Sequence, residues 1–129
     1  MRHRNLRGVA PNGDVLIEGG SSASEFYDPS TNVWQATMGR QSLNIPQRDP
    51  LALLATGKVL LAGQGVGNPF ASKATLYDPS TNKWTLTGSM RVMRRGYTLT
   101  RPLNGKVLAA GGQRPAGDVT LSSAELYTP

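Results

Sequence analysis

The octapeptide YDPSTNVW at residues 27–34 returns as YDPSTNKW at residues 77–84, seven of eight letters identical and 50 residues on. Nothing else in this chain of 129 residues constrains the fold as strongly. A fixed period of this length marks stacked copies of one supersecondary unit, none of which can bury its apolar faces alone. Tyr27, Tyr77 and Tyr127 keep the 50-residue spacing, as do Trp34 and Trp84. A second element recurs as NGDVLIEGG at 12–20, TGKVLLAGQ at 56–64 and NGKVLAAGG at 104–112, with offsets of 44 and then 48 residues. The gap between the two elements therefore grows along the chain. Gly19 to Tyr27 is 8 residues, Gly63 to Tyr77 is 14, and Gly111 to Tyr127 is 16.

Each unit reads as four short strands. An apolar first strand (LRGVA at 6–10, PLALLA at 50–55, YTLTRPL at 97–103) meets a turn carrying Asn12-Gly13, Thr56-Gly57 or Asn104-Gly105. Such pairs accept the positive φ of tight hairpins. The second strand (DVLIEG, KVLLAG, KVLAAG) is almost continuously apolar, as in a strand covered on both faces. The third ends at SEFY, ATLY or AELY. Asp-Pro-Ser-Thr-Asn then turns the chain, Pro presetting φ and Asp and Asn bonding locally. The fourth carries the tryptophan, in VWQAT or KWTLT. Four antiparallel strands at this period describe a propeller blade, and the aromatics are expected to pack each blade against the next.

The glycine pairs at 19–20 and 111–112, the degenerate Gly63-Gln64, and the two YDPSTN-x-W segments resemble the Kelch repeat, over nearly the whole chain. The expected fold is thus all-β, a partial Kelch-type β-propeller of nearly three blades. Blade one spans about residues 2–38, blade two about 46–88 and blade three about 94–129, the last without its outer, tryptophan-bearing strand. Arg2 and Arg94 stand where Kelch units often carry an arginine at the start of the innermost strand, and Pro46 takes that place in the middle unit. Kelch propellers usually close with roughly six or seven blades. Two arrangements fit this shortfall: a fragment of a longer propeller, or a homodimer closing a six-bladed ring about a two-fold axis.

Composition excludes several chemistries. There is no cysteine, hence no disulfide, thiolate site or cysteine nucleophile, and His3 is the single histidine. One copy therefore cannot assemble a multi-histidine metal site or a histidine-based triad. Galactose-oxidase-like copper-radical enzymes carry a Kelch-type propeller. Their copper takes two histidines and their cofactor a cysteine–tyrosine crosslink, so by this resemblance the chain is at most a non-catalytic propeller segment of a larger carbohydrate-active or galactose-oxidase-like enzyme, with the catalytic residues outside this chain and no cofactor of its own. The N-terminal MRHRNLRG is followed by no apolar signal-peptide core. No run approaches the ~18 apolar residues of a membrane helix. GQGVG at 63–67 precedes no helical pattern and reads as a plain loop.

Strand parity separates the connections. One end of the blades carries uniform turns: PNGD, ATGK and LNGK, with DPSTN twice. The other carries variable ones: SSAS, GVGNPFASK and RPAGDVTLSS, together with MGRQSLNIPQR and GSMRVMRR. Variable loops on a rigid scaffold are where recognition sits. This end gathers Arg2, Arg4, Arg40, Arg48, Arg91, Arg94, Arg95 and Arg114 in a chain of net charge +6. Guanidinium groups suit bidentate capture of carboxylate or phosphate. Asn5, Asp49 and Tyr97 occupy matching positions beside the inner strands, at the expected channel mouth. Arg2, Arg48, Arg94, Arg95, Asn5, Asp49 and Tyr97 are therefore the candidate binding residues. In Kelch domains this end and its arginines commonly bind acidic peptides, so the resemblance implies a non-catalytic module for an acidic protein or glycan ligand. Nucleic-acid binding gains support from charge alone, since the tyrosines and tryptophans are committed to blade packing.

Overall fold

The computed structural model describes residues 6–9, 13–18, 24–38, 51–63, 72–102, 104–114, 117 and 119–129. The first sheet runs in chain order through β1 (Leu6–Val9), β2 (Val15–Glu18), β3 (Glu25–Asp28) and β4 (Val33–Ala36). The second repeats that order with β5 (Leu51–Leu53), β6 (Val59–Ala62), β7 (Ala74–Asp78) and β8 (Lys83–Thr87). The third contains β9 (Thr98–Thr100), β10 (Val107–Ala110) and β13 (Ala124–Tyr127). Between β10 and β13 a hairpin of β11 (Gln113–Arg114) and β12 (Val119–Thr120) forms a small sheet of its own. All strand pairs within these sheets are antiparallel, and the innermost strands β1, β5 and β9 lie side by side. The architecture is all-β, a partial β-propeller.

The repeated octapeptide builds the same local object twice, and each letter has a task. Asp28 Oδ1 accepts from the Ser30 backbone N–H at 2.8 Å and from its hydroxyl at 2.6 Å. Asp78 does the same for Ser80, at 3.0 and 2.6 Å. Asn32 and Asn82 take the left-handed conformation, with φ of 58° and 55°, which Asn tolerates better than most residues. The Tyr27 hydroxyl donates to Asn32 Oδ1 at 2.6 Å, and the Tyr77 hydroxyl to Asn82 Oδ1 at 3.1 Å. Across the strand pair, Tyr27 and Trp34 have ring centroids 5.1 Å apart, and Tyr77 and Trp84 5.3 Å. Both pairs sit within the range of favourable tilted aromatic contacts.

The core lies between the sheets. Every residue of β6 is buried, and strand alternation explains how one strand serves two interfaces. Val59 and Leu61 face the first sheet, packing with Leu16, Tyr77 and Trp84. Leu60 and Ala62 face the third, packing with Val107, Ala109 and Tyr97. The unbroken apolar run at 59–62 thus serves a neighbour on both sides. Polar bonds fasten the interfaces. Trp84 Nε1–H donates to Ser24 Oγ at 3.0 Å and Thr37 Oγ1 at 2.9 Å. Asn82 Nδ2 donates to the Ala36 carbonyl at 3.0 Å. On the other side the Thr87 and Tyr127 hydroxyls meet at 2.8 Å, and Arg101 donates to the Leu53 carbonyl at 3.0 Å.

One expectation needs turning round. Trp84 leans on the preceding sheet in the chain, the first, rather than on the next. The reason is register: Val59, Tyr77 and Trp84 form one cross-strand row, and that row is the face of the second sheet that looks back toward β2.

Candidate functional site: the arginine-bearing loops of the third sheet

Of the seven residues selected from sequence, Arg2, Asn5, Arg48 and Asp49 lie outside the described residues. Arg94, Arg95 and Tyr97 fall together in the segment entering β9, where three different environments act on neighbouring positions.

Arg94 is fully buried, with relative exposure of 0%. Its Nε donates to Glu125 Oε2 at 3.2 Å, one terminal nitrogen donates to the Gly111 and Ser123 carbonyls at 2.8 Å each, and the other donates to Ser123 Oγ at 2.8 Å. A guanidinium has five N–H donors, and these bonds occupy four of them. The Glu125 carboxylate also accepts the backbone N–H of Arg91 at 2.6 Å and of Val92 at 3.2 Å. Arg94 and Glu125 thereby clamp the incoming loop, the glycine doublet and β13 into one unit. The planar fork that suits ligand carboxylates is spent inside the fold, so Arg94 acts here as a structural residue.

Tyr97 is also buried and sits between two glycines. A Cβ on Gly63 would come within 2.9 Å of the Tyr97 hydroxyl oxygen, and one on Gly112 within 2.8 Å of Tyr97 Cβ and 2.7 Å of the Arg95 carbonyl. Both glycines have positive φ, 72° and 84°. The doublet therefore provides close approach as well as a turn: Gly112 admits the aromatic of its own sheet, and Gly63 admits the same ring from the second sheet. Tyr97 thus joins the inter-sheet core.

Arg95 remains at the surface. Its backbone pairs with Gln113, Arg95 N to Gln113 O at 3.0 Å and Gln113 N to Arg95 O at 2.9 Å. That bridge places it beside Arg114, also exposed, on the β11–β12 hairpin. Arg91 is a third exposed arginine, on the same loop. Arg91, Arg95 and Arg114 are exposed at this end, while Arg94 is buried and holds the loop in place. The signal for Arg94's role was in the internal copies. In the sequence, the spacing of the copies aligns Arg2, Pro46 and Arg94, and it aligns Glu25, Thr75 and Glu125. Arginine and glutamate are lost together in the middle unit, as a paired structural contact would be.

Other titratable groups support the scaffold. Hydrogen bonds from the Ser30 side chain and backbone hold the Asp28 carboxyl below the usual carboxylate range. Ser80, together with Lys58 at 3.2 Å, does the same for Asp78. Burial, with Asp14 and Asp78 nearby, pushes the Tyr77 phenol up to about 12. A crevice of about 60 Å³ between the second and third sheets is lined mainly by apolar groups, Leu60, Leu99 and Val107 among them, with Glu125 at one side. That holds a few waters rather than a substrate. Among the described residues, no cluster of three or more His, Asp or Glu is placed to hold a metal.

No family profile and no curated protein sequence matches the chain. Solved structures do. A fungal alcohol oxidase of the AA5 family, determined in complex with copper, matches over 97% of this chain with a TM-score of 0.66 and 18% identity. The chain spans 28% of the length of that oxidase. At this identity the likeness concerns the fold, and it supports a propeller of the general Kelch type.

Proposed function

We propose that residues 1–129 form part of the propeller scaffold of a larger oxidase-type enzyme, whose reacting groups are supplied from outside this chain. The observation that carries this reading is the match to a copper-bound alcohol oxidase, extending across nearly all of this chain and little more than a quarter of the other. The sequence agrees in two respects: one histidine cannot supply a multi-histidine copper site, and without cysteine no cysteine–tyrosine crosslink forms. The chain's contribution is then rigidity. Stacked sheets hold the loops of one end in fixed positions, where groups from elsewhere in an enzyme can be anchored.

The contiguous reading frame and its product test this. Copper-loaded 129-residue chain is expected to leave primary alcohols unoxidised, while the product of the whole frame oxidises them. A frame that adds only further glycine-doublet, tyrosine and tryptophan units, without histidines for copper, would overturn the proposal.

Exposure of Arg95 and Arg114 on adjoining backbone favours a second reading, in which the loop end binds an acidic peptide or glycan. In that case Arg95→Ala with Arg114→Ala weakens retention on a polyglutamate or sulfated-glycan array at low salt, and Lys58→Ala, on a different loop, leaves it unchanged. Equal retention by all three proteins would dismiss the loop end as the contact surface.

A further inference from the structure

The described residues include three asparagines, Asn32, Asn82 and Asn104, and their settings differ chemically. Asn32 and Asn82 hold the left-handed conformation, and each amide oxygen accepts a tyrosine hydroxyl. The backbone nitrogen after each belongs to a residue with a side chain, Val33 or Lys83, at the start of a strand. Asn104 is exposed, in the turn between β9 and β10. Gly105 follows it, at φ of 78°, with no atom within 4 Å of the place a Cβ would take. A glycine leaves the nitrogen beside it unshielded. The Gly105 N–H reaches the Pro102 carbonyl at 3.3 Å, a longer bond than the 3.0 Å from Gly57 to the Leu54 carbonyl in the middle unit's turn. Asn104 Oδ1 in turn accepts the Lys106 backbone N–H at 3.1 Å, the local bond by which asparagine shapes turns.

We propose that Asn104 is a site of covalent self-modification, losing ammonia through a cyclic imide formed with Gly105 while the chain is folded. The Gly105 nitrogen gives its proton to hydroxide and attacks Asn104 Cγ. The carbonyl electrons pass to Oδ1, where the Lys106 N–H already donates and stabilises the charge that forms. The oxyanion collapses, the bond from Cγ to Nδ2 breaks, and Nδ2 leaves as ammonia with a proton from water. Water then opens the imide at one of its two carbonyls, giving aspartate or isoaspartate. The sum is asparagine plus water to an acid plus ammonia, with no oxidant or reductant. Either product adds a negative charge beside Lys106. Isoaspartate also lengthens the main chain by one atom, in the turn that sets Thr100 opposite Leu108. The middle unit makes the same turn with Thr56, which has no amide, so the chemistry is denied to the second sheet there. The inference is independent of the oxidase reading, because this turn lies at the opposite end of the sheets from the arginine-bearing loops.

Peptide mapping by mass spectrometry tests it, on the folded chain held in mild alkali and on the same chain in urea. The folded chain should gain about 1 Da at Asn104, with isoaspartate identified there by labelling with an isoaspartyl methyltransferase. Folding should slow the reaction at Asn32 and Asn82 by more than about tenfold relative to urea, and should leave the rate at Asn104 within about threefold. Gly105→Ala, which sets a methyl group beside the attacking nitrogen, should slow the folded-state reaction by more than about tenfold. An Asn104 that reacts in urea but stays intact in the folded chain would overturn the proposal. Conversion of Asn32 or Asn82 as fast as Asn104 in the folded chain, or a Gly105→Ala chain that reacts at the parent rate, would overturn it equally.

Discussion

Tyr27–Trp34 and Tyr77–Trp84 are nearly identical in sequence and in local geometry, yet Trp34 is half exposed and Trp84 is 4% exposed. Their turns, Asn conformations, tyrosine hydroxyl bonds and ring spacings correspond. What differs is the neighbour. Trp84 has Ser24, Thr37 and Leu16 of the first sheet in front of it, while the corresponding face of the first sheet looks away from the other two. The motif therefore encodes a self-contained strand–turn–strand and, separately, a contact whose strength depends on what stands opposite. Repeat proteins divide their stability in this way, into terms within units and terms between adjacent units.

The largest expected effect separates those terms. Trp84→Ala should cost about 3–5 kcal/mol in urea unfolding, the range for deleting a buried large aromatic. Trp34→Ala, measured under dilute conditions, should cost about 1 kcal/mol, the scale of a single aromatic pair. Equal costs would mean that the two copies share one environment after all.

Next in size is the third sheet's polar clamp. Arg94→Met should destabilise by about 3 kcal/mol because it strands a partly buried carboxylate. Adding Glu125→Thr, the residue type of the middle unit, should recover part of that loss, and denaturant midpoints of the single and double variants decide the matter. A smaller effect is expected at the turns. Asn32→Ala and Asn82→Ala should each cost about 1 kcal/mol for placing alanine at positive φ. Asn82→Ala should cost more, since it also breaks the bond to the Ala36 carbonyl.

Alkali sharpens the comparison further. The Tyr77 phenol is raised to about 12 from an ordinary value of 10.0, chiefly by burial. The folded chain thus holds this proton more tightly than the unfolded chain does. Its contribution to stability is complete below pH 10 and is lost as pH rises toward 12. Stability measured over that window should fall less steeply in Tyr77→Phe than in the parent chain.

Much of the fold was legible because the period does not depend on knowing any single contact. The repeated valine–glycine and tyrosine–tryptophan elements locate the strands of the three large sheets, but the apolar run recurs in β10 as well as in β6, so the sequence does not single out the sheet covered on both sides. The β11–β12 hairpin was not legible. Gln113–Arg114 and Val119–Thr120 are two-residue strands, exposed and largely polar, and carry no alternation to read. The site was legible only as a loop end. Arg94 and Arg95 are adjacent letters with the same side chain, and their opposite fates depend on Glu125, 31 residues beyond Arg94, and on a backbone bridge to Gln113. The burial of Tyr97 was hidden for a related reason: its position beside the inner strands is visible in the sequence, but the space left by Gly63 and Gly112 is not.

The central claim is that the same motif is buried in one place and open in another because sheets lean on one another in chain order. The indole resonances of Trp34 and Trp84 report on it directly. In a nuclear Overhauser experiment, Trp84 Hε1 should show contacts to the β-protons of Ser24 and Thr37 and slow exchange with solvent. Loss of both cross-sheet contacts, with the two indole protons exchanging at the same fast rate, would contradict the stacking described here.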